Sequence, residues 1–318
     1  MATSPTSPTS NDAPPVVAVT DAHKSFGATK ALNGLTFDVR RGEMFGLIGP
    51  DGAGKTTTIR AICGLLAPDR GTVRVDGVDP FRHPRKAAAS IGYVSQRFTL
   101  YGDLSIDENI EFFARIHGVH GFAERRTRLL TLTGLAAFRT RLADRLSGGM
   151  KQKLALACTL VHEPPILVLD EPTTGVDPVS RREFWKLLAE FTAQGLTIVL
   201  ATPYLDEAER CHRAALVSGG HLLALDTPAN LQTSAGGALV EVVATPIRRA
   251  LDAARAKVGP ERVQIFGDRL HVRLDDEQDY GPVGHALSEA GVDVASSRVI
   301  PPTLEDVFID RLAQEKQQ

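Results

Sequence analysis

The spacing of apolar positions changes character several times along the chain. Val16–Thr20 and Leu35–Val39 alternate apolar and polar residues, the period of strands with one buried face. Met44–Ile48 is a short apolar run that ends in a glycine-rich turn, and a helix is predicted from Lys55 to Leu66. Thr72–Asp76 reads as another strand. From about Phe98 to Asp144 the strand signals stop, and Leu, Ile, Phe, Ala and Arg recur every three or four residues, which predicts a mostly helical insertion. Ser147–His162 reads as a helix start and helix. Ile166–Leu169 is the uninterrupted apolar strand of a buried parallel sheet, Arg181–Gln194 is helical, and Thr197–Leu200 is a strand. Strands alternating with helices predict an α/β core.

The pattern restarts near Thr233, with Ser234–Gly237 as a linker. Strand Leu239–Ala244, helix Ile247–Val258, strands Arg262–Phe266 and Leu270–Leu274, helix Gly281–Ala290, strand Val292–Val299 and helix Leu304–Ala313 describe a small α+β unit of ferredoxin-like type. The expected organisation is a tail over residues 1–15, a first domain over 16–232 with its helical part at about 98–162, and a second over 233–318. The tail is rich in Ser, Thr and Pro, has almost nothing to bury, and lacks the basic start and apolar stretch of a secretory signal; it is expected to be disordered.

Composition narrows the function classes. The chain has 318 residues, with 36 Lys+Arg against 38 Asp+Glu and a formal net charge of −2, which disfavours a strongly basic nucleic-acid binder. No apolar run reaches the roughly 18–20 residues of a membrane helix, so the chain is not expected to cross a bilayer itself. Cys63, Cys158 and Cys211 lie far apart and are odd in number, so neither a disulfide partner nor a zinc site is expected.

The strongest chemical signal is Gly49, Pro50, Asp51, Gly52, Ala53, Gly54, Lys55, Thr56 and Thr57. It fits G-x-x-x-x-G-K-[ST] and lies between an apolar strand and a helix, as a phosphate loop must. The glycines let backbone wrap an anion, and the helix N-terminus points its amides at phosphate oxygens. Lys55 adds positive charge near the β- and γ-phosphates, and the Thr56 hydroxyl suits Mg²⁺. Asp51 is expected to point away from the phosphates. Asp170 and Glu171 follow a buried strand, where crevices open in such sheets. Asp170 is read as holding Mg²⁺, and Glu171 as polarising an attacking water. Ser147 is a natural N-cap ahead of Gly148 and Gly149, a second surface of bare helix amides. Alone, such a Ser-Gly-Gly is an ordinary capped helix.

In this order the three motifs resemble the ATP-binding cassette (ABC) ATPase family, over about Val16 to Asn230. The resemblance implies the P-loop NTPase fold of ABC ATPases with a helical subdomain, here followed by the small α+β unit. It implies ATP and Mg²⁺ as cofactors and ATP hydrolysis as the activity. Phe26 matches the family's adenine-stacking aromatic. Gln96 matches its Mg²⁺- and water-sensing glutamine, and Asp177 the loop that crosses to the partner subunit. By resemblance Glu171, Lys55 and Gln96 carry catalysis, and Thr56, Gln96 and Asp170 the metal. The implied partner is a second ABC ATPase subunit packed head to tail, read as another copy of the chain. Each phosphate loop then faces the other copy's Ser147–Gly149.

One position departs from the family. Where it has a Thr-His pair that contacts the γ-phosphate, this chain has Thr202 and Pro203, while Leu205–Glu209 keeps the register. Proline has no side-chain donor and no N–H. Slow hydrolysis is the expected outcome. The alternatives are an ATP-binding regulatory module, or a cassette completed by a different, intact partner. Pro302–Phe308 and Arg97–Asn109 resemble ABC-2-type exporters of drugs and polysaccharides. That implies a separate membrane permease and a cytoplasmic location against the inner face of the membrane.

Overall fold

The structure is a computed structural model that describes residues 13–96, 100–234 and 236–315. Residues 1–12 of the expected tail, and residues 97–99 at the start of the expected helical insertion, lie outside these. The chain divides into two compact units between Leu225 and Asp226. The division falls ahead of the linker read at Ser234–Gly237.

The first unit is built on β1 (Val17–Phe26), β2 (Thr29–Val39), β3 (Met44–Ile48), α1 (Lys55–Ile62), β4 (Arg70–Val75), α2 (Pro84–Ser90) and β5 (Ile91–Val94). Then come α3 (Ile106–Ile116), α4 (Ala123–Leu132), α5 (Gly148–Leu160), β6 (Ile166–Asp170), α6 (Pro178–Ala193), β7 (Thr197–Thr202), α7 (Leu205–Ala208), β8 (Arg213–Ser218) and β9 (His221–Asp226). Six strands form the central sheet in the order β5-β6-β7-β3-β8-β9, and β2-β1-β4 form a separate antiparallel sheet. The links β5–β6, β6–β7, β7–β3 and β3–β8 are parallel. Every residue of β3, β6 and β7 is buried, because layers cover both faces of the sheet.

The period of two along a strand sorts these residues between two cores. Leu167, Leu169, Ile198 and Leu200 face the helical layer with Ile106, Ile110, Leu154, Phe184 and Leu188. Ile166, Val168, Val199 and Ala201 face the other way, with Ile59 and Ile62 of α1 and Val17, Leu35 and Val39 of the antiparallel sheet. In the helical segment, α3 opens on a reciprocal cap: Ser105 accepts from the Glu108 amide while the Glu108 side chain accepts from the Ser105 amide.

Several boundaries differ from the sequence expectation. α1 stops at Ile62, four residues short of Leu66, because Gly64 takes a left-handed φ of +70° and turns the chain out of the helix. β1 and β2 run further than their alternating stretches, as two arms of one hairpin that holds them by mutual hydrogen bonding. α2, β5, β8 and β9 are elements the pattern did not announce.

The second unit contains α8 (Pro228–Thr233), β10 (Ala238–Thr245), α9 (Ile247–Val258), β11 (Val263–Phe266), β12 (Arg269–Leu274), α10 (Tyr280–Glu289), β13 (Asp293–Ile300) and α11 (Leu304–Glu315). Its four strands pair antiparallel in the order β11-β12-β10-β13, the ferredoxin-like arrangement. Val240, Val242, Leu270 and Val272 on one face bury Ala250 and Ala254 of α9 and Val283 and Leu287 of α10. α11 ties to β12 through Asp306, which lies 3.3 Å from His271 Nδ1 and takes a hydrogen bond on its carbonyl from Arg273. Among the described residues, no helix is long and apolar enough to cross a membrane.

Candidate functional site

The phosphate-type loop leaves β3 and enters α1. Two of its glycines are fixed by close approach of backbone. A Cβ at Gly49 would overlap the Val217 carbonyl oxygen of β8, and one at Gly54 would overlap the Ala31 carbonyl oxygen of β2. Gly52 has open space around it but a φ of +79°, a conformation L side chains rarely adopt. So Gly49 and Gly54 seat the loop against its own chain, and Gly52 provides the bend. Ala53 is buried beneath the loop, while Pro50 and Asp51 are exposed on its crest. α1 begins at Gly54 without a side-chain cap, so the amides of its first turn have no intrahelical partner.

Lys55 is 4% exposed. Its Nζ donates to the carbonyls of Gly49 (2.8 Å) and Pro50 (2.9 Å), and lies 4.0 Å from Glu171 Oε1. Burial holds the ammonium below lysine's usual range, against the pull of Glu171, Asp51 and Asp170. Thr56 Oγ1 donates to Asp170 Oδ1 at 3.1 Å. Burial raises the Asp170 carboxyl, and the Thr56 hydrogen bond opposes that rise. Thr57 is partly buried on the next turn position. A hydroxyl and a carboxylate converging in this way are the hard oxygen donors that suit Mg²⁺, which takes one or two protein ligands beside phosphate.

Glu171 follows β6 with a φ of +49°, strained for a residue with a side chain. The strain is held from two directions. Its amide donates to the Ala201 carbonyl of β7 at 2.9 Å, and its carbonyl accepts from Thr174 at 3.3 Å. Its side-chain Oε2 accepts from Gln96 Nε2 at 3.0 Å and from Thr174 Oγ1 at 3.2 Å. The ends of β3, β5 and β6 therefore gather Lys55, Thr56, Gln96, Asp170 and Glu171 in one place.

β7 lies between β3 and β6, with Thr202 opposite Ile48 and Ala201 opposite Asp170. Pro203 thus leaves the sheet between the loop and the two carboxylates. The Thr202 carbonyl accepts from the Gly49 amide at 3.3 Å, and its hydroxyl accepts from the Tyr204 amide at 3.1 Å.

The remaining residues sit on other elements. Ser147 caps α5, accepting from the Met150 amide at 3.3 Å. Its two glycines differ: Gly148 is exposed with nothing nearer than the Gly175 carbonyl at 4.0 Å, whereas a Cβ at Gly149 would strike the Ser180 side chain of α6 at 2.5 Å. Gly149 is therefore needed for helix packing. Asp177 caps α6, accepting from the amides of Val179 (3.1 Å) and Ser180 (3.0 Å), and hydrogen bonding led by Ser180 lowers its carboxyl. Phe26 ends β1 with 52% exposure and Lys24 Nζ 5.9 Å from its ring centre. Its ring is half exposed, with the Lys24 ammonium over it.

Sequence reasoning missed the contact of Thr174 with Glu171 and the role of Glu207, which bonds to the turn after it. Thr174 was within reach, being three positions on. Glu207 was not: it stands in the first turn of α7, where an acid suits a helix start, and its burial shows only in the fold. It has no solvent exposure and receives three donors: Thr173, Arg181 and Trp185. Only tertiary packing brings these together.

Residues 32–174 match the ABC transporter family. The chain is 41% identical over 95% of its length to the probable multidrug ABC transporter ATP-binding protein YbhF of Escherichia coli, and spans about half of that relative (52%). It is 39% identical to the Nod factor export ATP-binding protein I of Paraburkholderia xenovorans, with 92% of this chain and 96% of that one aligned. The solved structure of an ATP-binding subunit of an ABC transporter superposes with a TM-score of 0.63 at 32% identity, covering 69% of this chain and 92% of that one.

Proposed function

Because the chain belongs to the ABC transporter ATP-binding family, we propose that it binds ATP with Mg²⁺ and hydrolyses it to drive a membrane exporter. The observation that carries this reading is the convergence of Lys55, Thr56, Gln96, Asp170 and Glu171 at the ends of β3, β5 and β6. The loop, bent at Gly52 and running into the uncapped N-terminus of α1, fits a phosphate chain. Lys55, released from its two loop carbonyls, would neutralise phosphate charge. Thr56 and Asp170 would hold Mg²⁺, and bound ATP would supply the phosphoryl group transferred to water. Glu171, fixed by its backbone and by Gln96, accepts the proton of that water. Phe26 offers a stacking face for adenine.

The second half of the reading is a composite site. Ser147 and Gly148 would close over the phosphates held by another subunit, with Asp177 near the junction, so two cassettes complete two sites. A separate integral membrane permease is the proposed load, and it would hold the chain at the inner face of the membrane. The names of the relatives, multidrug transport and Nod factor export, support an exporter of ABC-2 type.

Phosphate release from ATP-Mg²⁺ tests the reading. The purified chain should release phosphate, and Glu171→Gln should cut turnover by about 10²- to 10³-fold while ATP still binds. Equal rates for the two proteins would exclude Glu171 as the base.

A further inference from the structure

Glu207 lies on α7, just after the bend at Pro203 and Tyr204, and is fully buried. Its Oε1 receives the Thr173 hydroxyl at 2.5 Å, Arg181 Nε at 2.9 Å and Trp185 Nε1 at 3.3 Å. Its Oε2 has no hydrogen-bond partner among the described residues. A buried carboxylate of this kind is costly unless its geometry is held firmly. The donors come from two elements, the turn after β6 and helix α6. Thr173 belongs to the turn that starts at Glu171, and its carbonyl accepts from Val176 at 3.2 Å. Arg181 and Trp185 are on α6, which Asp177 caps. Arg181 also stacks its guanidinium over the Tyr204 ring at 4.7 Å and pairs with Asp206 at 3.0 Å.

We infer that Glu207 is a positioning residue for Glu171. Through Thr173 it fixes the far side of the turn that carries Glu171, and through Arg181 it ties that turn to α6 and to the Pro203–Tyr204 bend. The near side of the turn is already pinned by the Glu171 amide on Ala201. Without the Thr173 arm, the strained turn keeps its bonds at Ala201, Thr174 and Gln96 but loses its tie to α7, and the Glu171 carboxylate shifts from the attack position. The inference rests on the ATPase reading above, with Glu171 as the proton acceptor. It adds a residue that touches neither nucleotide nor water.

The Thr173 hydroxyl is the sensitive link, because Thr173→Val keeps the shape and removes only the donor. Phosphate release, KM for ATP and thermal midpoint are compared for wild type, Thr173→Val and Thr173→Ser, all assayed well below the midpoints. The expected result is a kcat loss of about tenfold or more in Thr173→Val, with KM within about twofold of wild type and kcat restored in Thr173→Ser. A rise in KM at unchanged kcat would overturn the inference, as would equal kcat losses in the Val and Ser variants. A wild type that releases phosphate at a rate Thr173→Val leaves intact would overturn this inference alone. A wild type with no Glu171-dependent release would remove it together with the ATPase reading.

Discussion

At the scale of single residues, the site combines two kinds of constraint. Lys55 and Asp170 are buried charges whose proton affinities are shifted in opposite directions by the same cause, loss of water. Glu171 is a backbone constraint, held at positive φ by its neighbours. These residues could be named from the sequence because G-x-x-x-x-G-K-[ST] and a carboxylate pair after an apolar run are local patterns. Gln96 was named by family resemblance alone, and its contact with Glu171 across 75 residues of chain is one no local pattern spans. Pro203 is the exception to an otherwise complete set. It emerges beside both the loop and the carboxylates, where an imidazole would have a donor to offer and proline has none. Pro203→His is therefore expected to raise turnover at saturating ATP, by about tenfold or more, as read by phosphate release. An unchanged or lower rate would show that the position does not limit hydrolysis.

At the scale of elements, the same residue type serves different ends two positions into one helix. Gly148 and Gly149 open α5 behind the Ser147 cap, yet only Gly149 is pressed against α6. Gly149→Ala is expected to destabilise the lone chain by about 1–3 kcal/mol, seen as a lower midpoint in urea. Gly148→Ala should leave stability within about 0.5 kcal/mol of wild type, because the added methyl meets open space, and should lower ATP turnover by obstructing the face offered to the other subunit. A matching loss of stability in both variants would refute this division of labour. The elements that sequence reading found are those with a clear period or an unbroken apolar run. β5 and β8 escaped it for a physical reason. Ile91–Val94 is four residues long and Arg213–Ser218 centres on Ala-Ala-Leu-Val, a string equally at home in a helix. Pairing with β6 and β3 makes them strands.

At the scale of the whole molecule, the phosphate loop and the Ser147 cap belong to different layers of one unit, and closing them on a single ATP is proposed to take two copies. In a Glu171→Gln background, which should trap the closed state, Asp51→Cys and Gly148→Cys are expected to give an intermolecular disulfide dependent on ATP-Mg²⁺, visible on a non-reducing gel. Both positions are exposed. The native thiols should not compete, because burial pushes Cys63, Cys158 and Cys211 well above the usual thiol range. Only monomer with nucleotide bound would contradict the composite site. The amino-acid string alone was enough to specify the α/β class, the loop that would cradle phosphate, the carboxylates behind β6 and the α+β pattern that follows, since each is written in residues close together along the chain. Folding was needed to show that Gly49, Gly54 and Gly149 answer to neighbouring backbone and helix. It was needed too to seat Gln96 and Thr174 on Glu171 and to bury the Glu207 carboxylate among Thr173, Arg181 and Trp185. Those facts depend on which distant segments meet, and chain order does not encode that until the sheet has closed.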